Sequence, residues 1–297
     1  MRVLALSLAV LSVGCGVSSS DAVVNEVDEA TSDDSFELST TKDTFLIARR
    51  DNRRCISPMC GGYWVKDLNS TMQERYVSGF DFTNSGLSED VQGQVAGARD
   101  NEVVLLGRLG AKENRFDTRP LLVVMAYRGM PGQSFDAADK FYTVFPSRIA
   151  CSTTPCRNLS TTRVNRTTGH AMASDISVSG ALGTLVPELW LHNRVMFGRG
   201  LVAGVIVRQN NHVTLEAHQV FVELPDRTVS CPKMPPPTCG SSQAPAWELT
   251  DNRCAVPAGC TQPRFCAAYV PACDDGYSQI SWQNGCTQYA CQPSFLD

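Results

Sequence analysis

The segment FLIARRDNRRCISPMCGGYWVKDLNST, residues 45–71, recurs in outline 96 positions later as FYTVFPSRIACSTTPCRNLSTTRVNRT, residues 141–167. Phe45, Cys55, Cys60, Asn69 and Thr71 fall on Phe141, Cys151, Cys156, Asn165 and Thr167, so both Cys-x4-Cys loops and both Asn-x-Thr triplets stay in register. Chance does not produce five such coincidences, and the chain is therefore read as two related modules near 44–132 and 139–224. Further on, Ser85-Gly86 answers Ser179-Gly180, Asn101-Glu102-Val103 answers Asn193-Arg194-Val195, and Gly107-Arg108 answers Gly198-Arg199.

Inside the modules the periodicity is that of strands. Runs rich in Val, Leu, Phe and Thr, bounded by Gly, Asn and Asp, predict strands at 44–48, 63–66, 76–82, 103–108 and 120–127, and in the second copy at 141–145, 159–164, 171–178, 194–198, 201–208 and 212–223. One helix is predicted in the first copy, with Ser88 as N-cap, Glu89 and Asp90 in the first turn, and Val91 and Val95 four apart. Pro187 predicts a shorter or irregular counterpart in the second. The expected class is mainly β (β-rich α+β): two tandem modules forming one body, 44–224, followed by a small disulfide-rich domain.

Thirteen cysteines are an odd number, and setting Cys15 aside leaves twelve: Cys55, Cys60, Cys151, Cys156, Cys231, Cys239, Cys254, Cys260, Cys266, Cys273, Cys286 and Cys291. Paired thiols persist in an oxidising compartment, and none of these spacings is that of a zinc site. Six disulfides are expected, with 55/60 and 151/156 closing their own loops. Eight of the cysteines crowd between Cys231 and Cys291. Such a segment is a stapled miniature domain, with 105 pairings open for eight cysteines. Pro225, Pro232, Pro235, Pro236, Pro237 and Pro245 lead into it, so 225–297 reads as a semi-rigid linker and a separable Cys-rich module.

Cys15 stands directly after the short apolar segment 3–14, behind the single basic Arg2. That is a secretory h-region, too short for a membrane span. The small residues before Cys15 resemble the lipobox of bacterial lipoproteins, which implies cleavage before Cys15, acylation (palmitate) of that residue, and a signal peptide at 1–14. Gly16 in place of Asp implies, by the same resemblance, sorting to the outer membrane. Residues 16–43 hold eight acids against Lys42 alone and only Phe36 as an aromatic. They cannot bury enough apolar surface to offset their ordering entropy, so 15–43 is read as a lipidated, disordered tether with a reach of roughly 30 Å.

The stretches Arg54-Cys55-Ile56-Ser57-Pro58-Met59-Cys60-Gly61-Gly62-Tyr63 and Cys151-Ser152-Thr153-Thr154-Pro155-Cys156, with the closing run 215–221, resemble secreted or lipid-anchored bacterial proteins that carry an Arg-Cys-x4-Cys loop in a domain of unknown function. The resemblance implies architecture and export, and brings neither catalytic residues nor a ligand. The spacing at the end of the chain, Cys266-x6-Cys273 and Cys286-x4-Cys291, is similar to that of antistasin-type inhibitor modules.

No Gly-x-Ser-x-Gly elbow, His-Glu-x-x-His, phosphate-cradling loop or dinucleotide fingerprint occurs, so an enzyme is not expected and no cofactor is implied. With 26 basic against 30 acidic side chains, a nucleic-acid partner is not expected either. Glu216 and His218, two apart on one strand face and so roughly 6.5 Å from each other, could co-ligate a metal. His212 is too far along the strand to join them, and a polar outer face accounts for all three. Arg49, Arg50, Arg53 and Arg54 beside the first loop form a candidate anion-binding cluster, since guanidinium forks match phosphate or acidic polysaccharide; solvated loop charge accounts for them as simply. Asn69, Asn158 and Asn165 are read as turn residues. Tyr269, Tyr277, Trp282 and Tyr289 in the stapled domain are candidates for a binding surface, with at least two expected in its core. The functional expectation is an outer-membrane lipoprotein with a binding or envelope-structural role, meeting the membrane through its anchor and an envelope protein or polysaccharide through its body. The alternative is a secreted protease inhibitor using Arg253 or Arg264.

Overall fold

The computed structural model describes residues 39–112, 117–152, 154–225, 231–250, 253–263, 265–266 and 269–296. Residues 1–38, with Cys15 and most of the tether, lie outside that set, as does Arg264. The chain is mainly β, as its periodicity predicts. In the first module the strands are β1 (Thr44–Arg50), β2 (Tyr63–Asp67), β3 (Arg75–Val77), β4 (Phe80–Asp81), β5 (Val103–Leu109) and β6 (Leu121–Gly129), with α1 (Glu89–Ala96) between β4 and β5. In the second they are β7 (Lys140–Pro146), β8 (Leu159–Arg163), β9 (His170–Ala173), β10 (Asp175–Ser177), β11 (Gly200–Gln209) and β12 (His212–Leu224), with α2 (Glu188–Met196) between β10 and β11.

These strands form one sheet in the order β3-β2-β1-β5-β6-β12-β11-β7-β8-β9, which reads the same from either end when β1 is matched to β7, β2 to β8, and so on to β6 and β12. The two halves meet where β6 and β12 pair antiparallel, Ala126 opposite Leu224 and Gly129 opposite Phe221. Beside that seam β4 pairs parallel with the start of β6, and β10 with the start of β12. Both long hairpins carry a bulge at matching places. Leu106 faces Met125 and Gly107 faces Val123, leaving Val124 unpaired; Ala203 faces Gln219 and Gly204 faces Ala217, leaving His218 unpaired. Glycine is required at both corners, because a Cβ on Gly107 or Gly204 would collide with the carbonyl oxygen of Leu122 or Glu216.

Alternation along the strands divides the apolar residues between two faces. Leu46, Val65, Val103, Leu105, Val123 and Ala126 pack with Val95 of α1, and Val144, Val202, Leu215, Val220 and Val222 pack with Trp190, Leu191 and Val195 of α2. On the other face Ile47, Val104 and Tyr127 of the first half meet Phe141, Leu201, Ala203 and Phe221 of the second in a shared core. The sheet must curl for β1 and β7, which are not neighbours in its order, to contribute to that core.

Two local expectations are corrected. Ser88 caps α1 as predicted, its hydroxyl accepting from the Val91 N–H. Pro187, however, does not shorten α2, which at nine residues is longer than the eight of α1. It stands at the N-cap, where its missing N–H is not needed. The strand predicted at 194–198 lies mostly in α2, whose buried Trp190, Leu191, Arg194 and Val195 follow helical spacing. Asn193-Arg194-Val195 therefore does not match Asn101-Glu102-Val103 in space, and the position in the second module equivalent to Gly107 is Gly204 rather than Gly198.

The last domain is a four-stranded sheet in the order β14-β13-β15-β16, from β13 (Ala244–Leu249), β14 (Ala255–Thr261), β15 (Tyr277–Asn284) and β16 (Cys286–Pro293). Its eight cysteines settle into one of the 105 pairings: Cys231 with Cys254, Cys239 with Cys260, Cys266 with Cys286 and Cys273 with Cys291. The loops close on themselves as expected, Cys55 with Cys60 and Cys151 with Cys156. Cys254, buried just before β14, and Cys260, exposed near its end, hold the Pro-rich stretch along that strand through Cys231 and Cys239. The prolines thus do not space the domain away. Cys291, 1% exposed, belongs to the second module's core, with Cys273, Tyr277 and Leu296 packed against it. Leu296 and Phe295 also pack against the first module's core. The Tyr277 hydroxyl donates to the Pro131 carbonyl (3.0 Å), the Thr184 N–H to Asp274 (2.8 Å), and the Cys291 N–H to the Leu185 carbonyl (3.0 Å). The Cys-rich domain and the body share a core, contrary to the reading of a separable module.

Candidate functional site

Docking the stapled domain against α2 leaves a groove of about 330 Å3 at the seam. Three of the chain's four tryptophans line it: Trp190 from α2, Trp247 from β13 and Trp282 from β15. Trp282 lies directly across the ladder from Gln288, and Asn284 follows two residues on, on the same sheet face. Trp190 is 2% exposed and forms the floor, with the Arg194 and Arg253 guanidinium groups 5.7 and 5.9 Å from its ring centroid. Its indole N–H is buried and has no hydrogen-bond partner among the described residues. Trp247 and Trp282 are half-buried, and Leu189 stands exposed at the rim. Flat apolar faces beside planar amides that both donate and accept suit a ligand with apolar faces and hydroxyl edges. The volume falls at the small end of ligand pockets.

Sequence reading singled out Trp282 alone of these tryptophans. The others lie 92 and 35 residues before it, in α2 and β13; Trp247 shares the stapled domain's sheet with Trp282, and only the docking of that domain brings Trp190 to them. Of the remaining aromatic candidates, Tyr277 is a docking residue, Tyr289 is half-buried, and Tyr269 is exposed. Arg253 turns inward: its guanidinium donates to the Gln292 side chain at 2.6 Å and faces Trp190.

A second constellation lies where the connection between the modules passes β12. Asp136, Asp139 and His218 each present one ligand atom, all within 4.8 Å of one another. His218 Nδ1 is 2.9 and 3.1 Å from the two carboxylate oxygens of Asp139, whose side chain is 1% exposed. His218 thus meets Asp136 and Asp139 of the connection, partners that the strand pattern alone does not indicate. Val213, Leu215 and Ala217 enter the core and leave Glu216 and His218 on the opposite face; beyond the bulge at His218 the phase shifts, so that Ala217 and Val220, three apart, enter the same core.

The arginine cluster is engaged with its own surroundings. Arg53 forks onto Asp51, donates to the Met59 carbonyl, and lies 4.8 Å from the Trp64 ring and 5.3 Å from the Tyr76 ring. Its hydrogen bonds hold the Asp51 carboxyl down to about 2, against burial, which acts the other way. Arg49 forks onto Glu74 and lowers the pKa of that carboxyl. Arg50 and Arg54 are exposed. With Tyr76 donating to the Pro58 carbonyl, the set fastens the Cys55–Cys60 loop to β2 and β3. A broader depression of about 800 Å3 beneath that loop has Asp81 as its one ionisable lining residue, already engaged by Thr83.

A protein of Dictyostelium discoideum described as uncharacterized is 23% identical over 261 residues, covering 83% of this chain and 86% of its own length. No solved structure matches the chain. The family model of the domain of unknown function DUF6748 matches residues 44–226, from the first residue of β1 to just past the end of β12. That span is the whole symmetric sheet, and the chain belongs to the DUF6748 family.

Proposed function

We propose that this protein is an exported, membrane-tethered binding protein, and that the tryptophan groove takes a saccharide segment of an envelope polymer. The observation that carries the reading is the convergence of Trp190, Trp247 and Trp282 with Asn284 and Gln288 in one groove. Ring faces stack on the C–H faces of a pyranose, while amides bridge neighbouring hydroxyls. Six disulfides support folding in an oxidising compartment. The apolar segment before Cys15 supports an outer-membrane lipoprotein, with the acidic tether holding the groove clear of the headgroups. The role is binding, and none of the reaction motifs sought in the sequence argues for turnover.

Two measurements test this. The soluble chain from residue 16 onward is titrated with fragments of envelope polysaccharide while tryptophan emission is followed. Saturable quenching is expected, with Trp282→Ala weakening binding at least about tenfold, the loss of a buried aromatic anchor; fragments that leave emission and heat unchanged overturn the ligand class. In cells, Cys15→Ala should abolish palmitate incorporation and membrane retention, since stable attachment needs more than one acyl chain. Equal labelling of the variant overturns the anchor. Inhibition of a trypsin-like protease by the same soluble chain would instead favour an inhibitor.

A further inference from the structure

We infer that Asp136, Asp139 and His218 form a binding site for a first-row divalent cation, zinc in particular. Comparison of the two halves carries the argument. Asp139 lies 96 residues after Asp43, the spacing of the repeat. In the first half Asp43 is closed by Arg108, 2.7 Å away on β5, next to the bulge glycine Gly107. In the second half the position after the bulge glycine Gly204 is Val205, which offers no charge. The unpaired bulge residue differs too, being Val124 in the first half and His218 in the second. A permanent cation has thus been replaced by an imidazole, and Asp136 adds a second carboxylate. Two carboxylates and an imidazole offer three lone-pair donors and excess negative charge, which is what a divalent ion requires and a guanidinium does not supply.

The donors are held. The Asp136 N–H donates to Asp139 Oδ2 (2.8 Å) and the Asp139 N–H to the Asp136 carbonyl (3.1 Å), so one turn orients the Asp139 carboxylate and sets Asp136 beside it. Gln219, the next residue after His218, donates to the Met130 carbonyl at 2.9 Å and fixes the start of the same connection. Zinc bonds to nitrogen and oxygen of about 2.0–2.2 Å put ligand atoms about 3–3.5 Å apart. Asp139 and His218 already stand at 2.9 Å, and the exposed Asp136 has only to swing its carboxylate inward. His218 is 39% exposed, so an ion has a way in. An imidazole nitrogen among the donors favours zinc over calcium or magnesium, which prefer oxygen alone. The bound ion would clip the connection between the modules to β12, through residues that the tryptophan groove does not share.

The test uses the oxidised full-length mature chain, stripped with a chelator and titrated with zinc chloride by calorimetry, with thermal unfolding measured in parallel. One zinc per chain and a raised melting midpoint are expected, with magnesium and calcium giving neither. His218→Gln and Asp136→Asn should each weaken zinc at least about tenfold, and His212→Gln, exposed at the far end of β12, should leave it unchanged. Because Asp139→Asn removes a buried carboxylate and is the variant at risk of misfolding, the two exposed positions decide the question. Absence of stoichiometric zinc binding, equal affinity for magnesium, or full affinity in His218→Gln overturns the site.

Discussion

Asn69 and Asn165 hold the two halves of the sheet together by the same three bonds, each reaching into the other's module. Asn69 donates to the Phe141 and Val164 carbonyls (2.8 and 3.0 Å) and accepts from the Phe141 N–H (2.9 Å). Asn165 donates to the Phe45 and Leu68 carbonyls (2.7 and 3.3 Å) and accepts from the Phe45 N–H (2.8 Å). Both sit in the left-handed region at φ 57°, which asparagine tolerates better than most residues. The curl of the sheet is locked at this point.

Asn69→Ala should therefore cost about 2–4 kcal/mol, since it strands partly buried backbone groups whose unmet hydrogen bonds cost about 1–3 kcal/mol each. Urea unfolding measures it, and Asn165→Ala should match. A loss of only a few tenths in both would mean that water replaces the bonds and that the curl is held by the shared core alone.

The docking of the stapled domain is set by Tyr277, whose ring fills the space beside Gly183; a Cβ on Gly183 would lie 2.6 Å from it. Gly183→Ala is expected to lower stability by about 1–3 kcal/mol through overpacking. A neutral result would show the domain to be loosely seated.

Alkaline pH reads the same contact. Burial pushes the Tyr277 hydroxyl up to about 12 from 10.0, so the folded state favours the neutral form. That stabilisation is complete below the ordinary value and is lost as pH rises from 10.0 to about 12. Tyr277→Phe should be less stable than the parent near neutrality by about 1 kcal/mol, the usual worth of one hydrogen bond. The gap should narrow through that alkaline window; a gap independent of pH would contradict the burial.

At the acid end the Asp51–Arg53 fork is the readout. The Asp51 carboxyl stands at about 2 against an ordinary 3.8, so its contribution is present above the ordinary value and disappears as pH falls from about 4 towards 2. The melting midpoints of the parent and Arg53→Gln should differ most above about pH 4 and converge near pH 2. Parallel curves would place the effect of Arg53 in its stacking on Trp64.

Partial reduction should proceed in order of exposure. Cys151 is exposed and Cys156 half-buried, whereas Cys291 lies in the core of the second module. Mass spectrometry under limiting reductant should find Cys273–Cys291 opened last, after Cys151–Cys156 and the comparably exposed Cys239–Cys260 and Cys266–Cys286, with its loss more destabilising than that of Cys151–Cys156 because it closes a longer loop and seats the domain. Early loss of Cys273–Cys291 would contradict the shared core.

The sequence alone determined what depends on local spacing. The 96-residue offset of Phe45, Cys55, Cys60, Asn69 and Thr71 implied two like modules, alternation implied their strands, Ser88 with Val91 and Val95 implied α1, and the even count of cysteines beyond Cys15 implied pairing. Only the tertiary structure decided what depends on contacts between distant segments. It turned two apparent turn asparagines into a reciprocal clamp and brought Asp136 and Asp139 to His218 at a bulge no local pattern marks. It chose one cysteine pairing in the stapled domain, sending Cys254 to Cys231 and Cys260 to Cys239. It also gathered Trp190, Trp247 and Trp282 from three elements into one groove. The physical reason is that propensity and alternation act over a few residues, whereas a bulge, a docked interface and a shared core are set by which surfaces can be buried together, and that is a property of the whole chain.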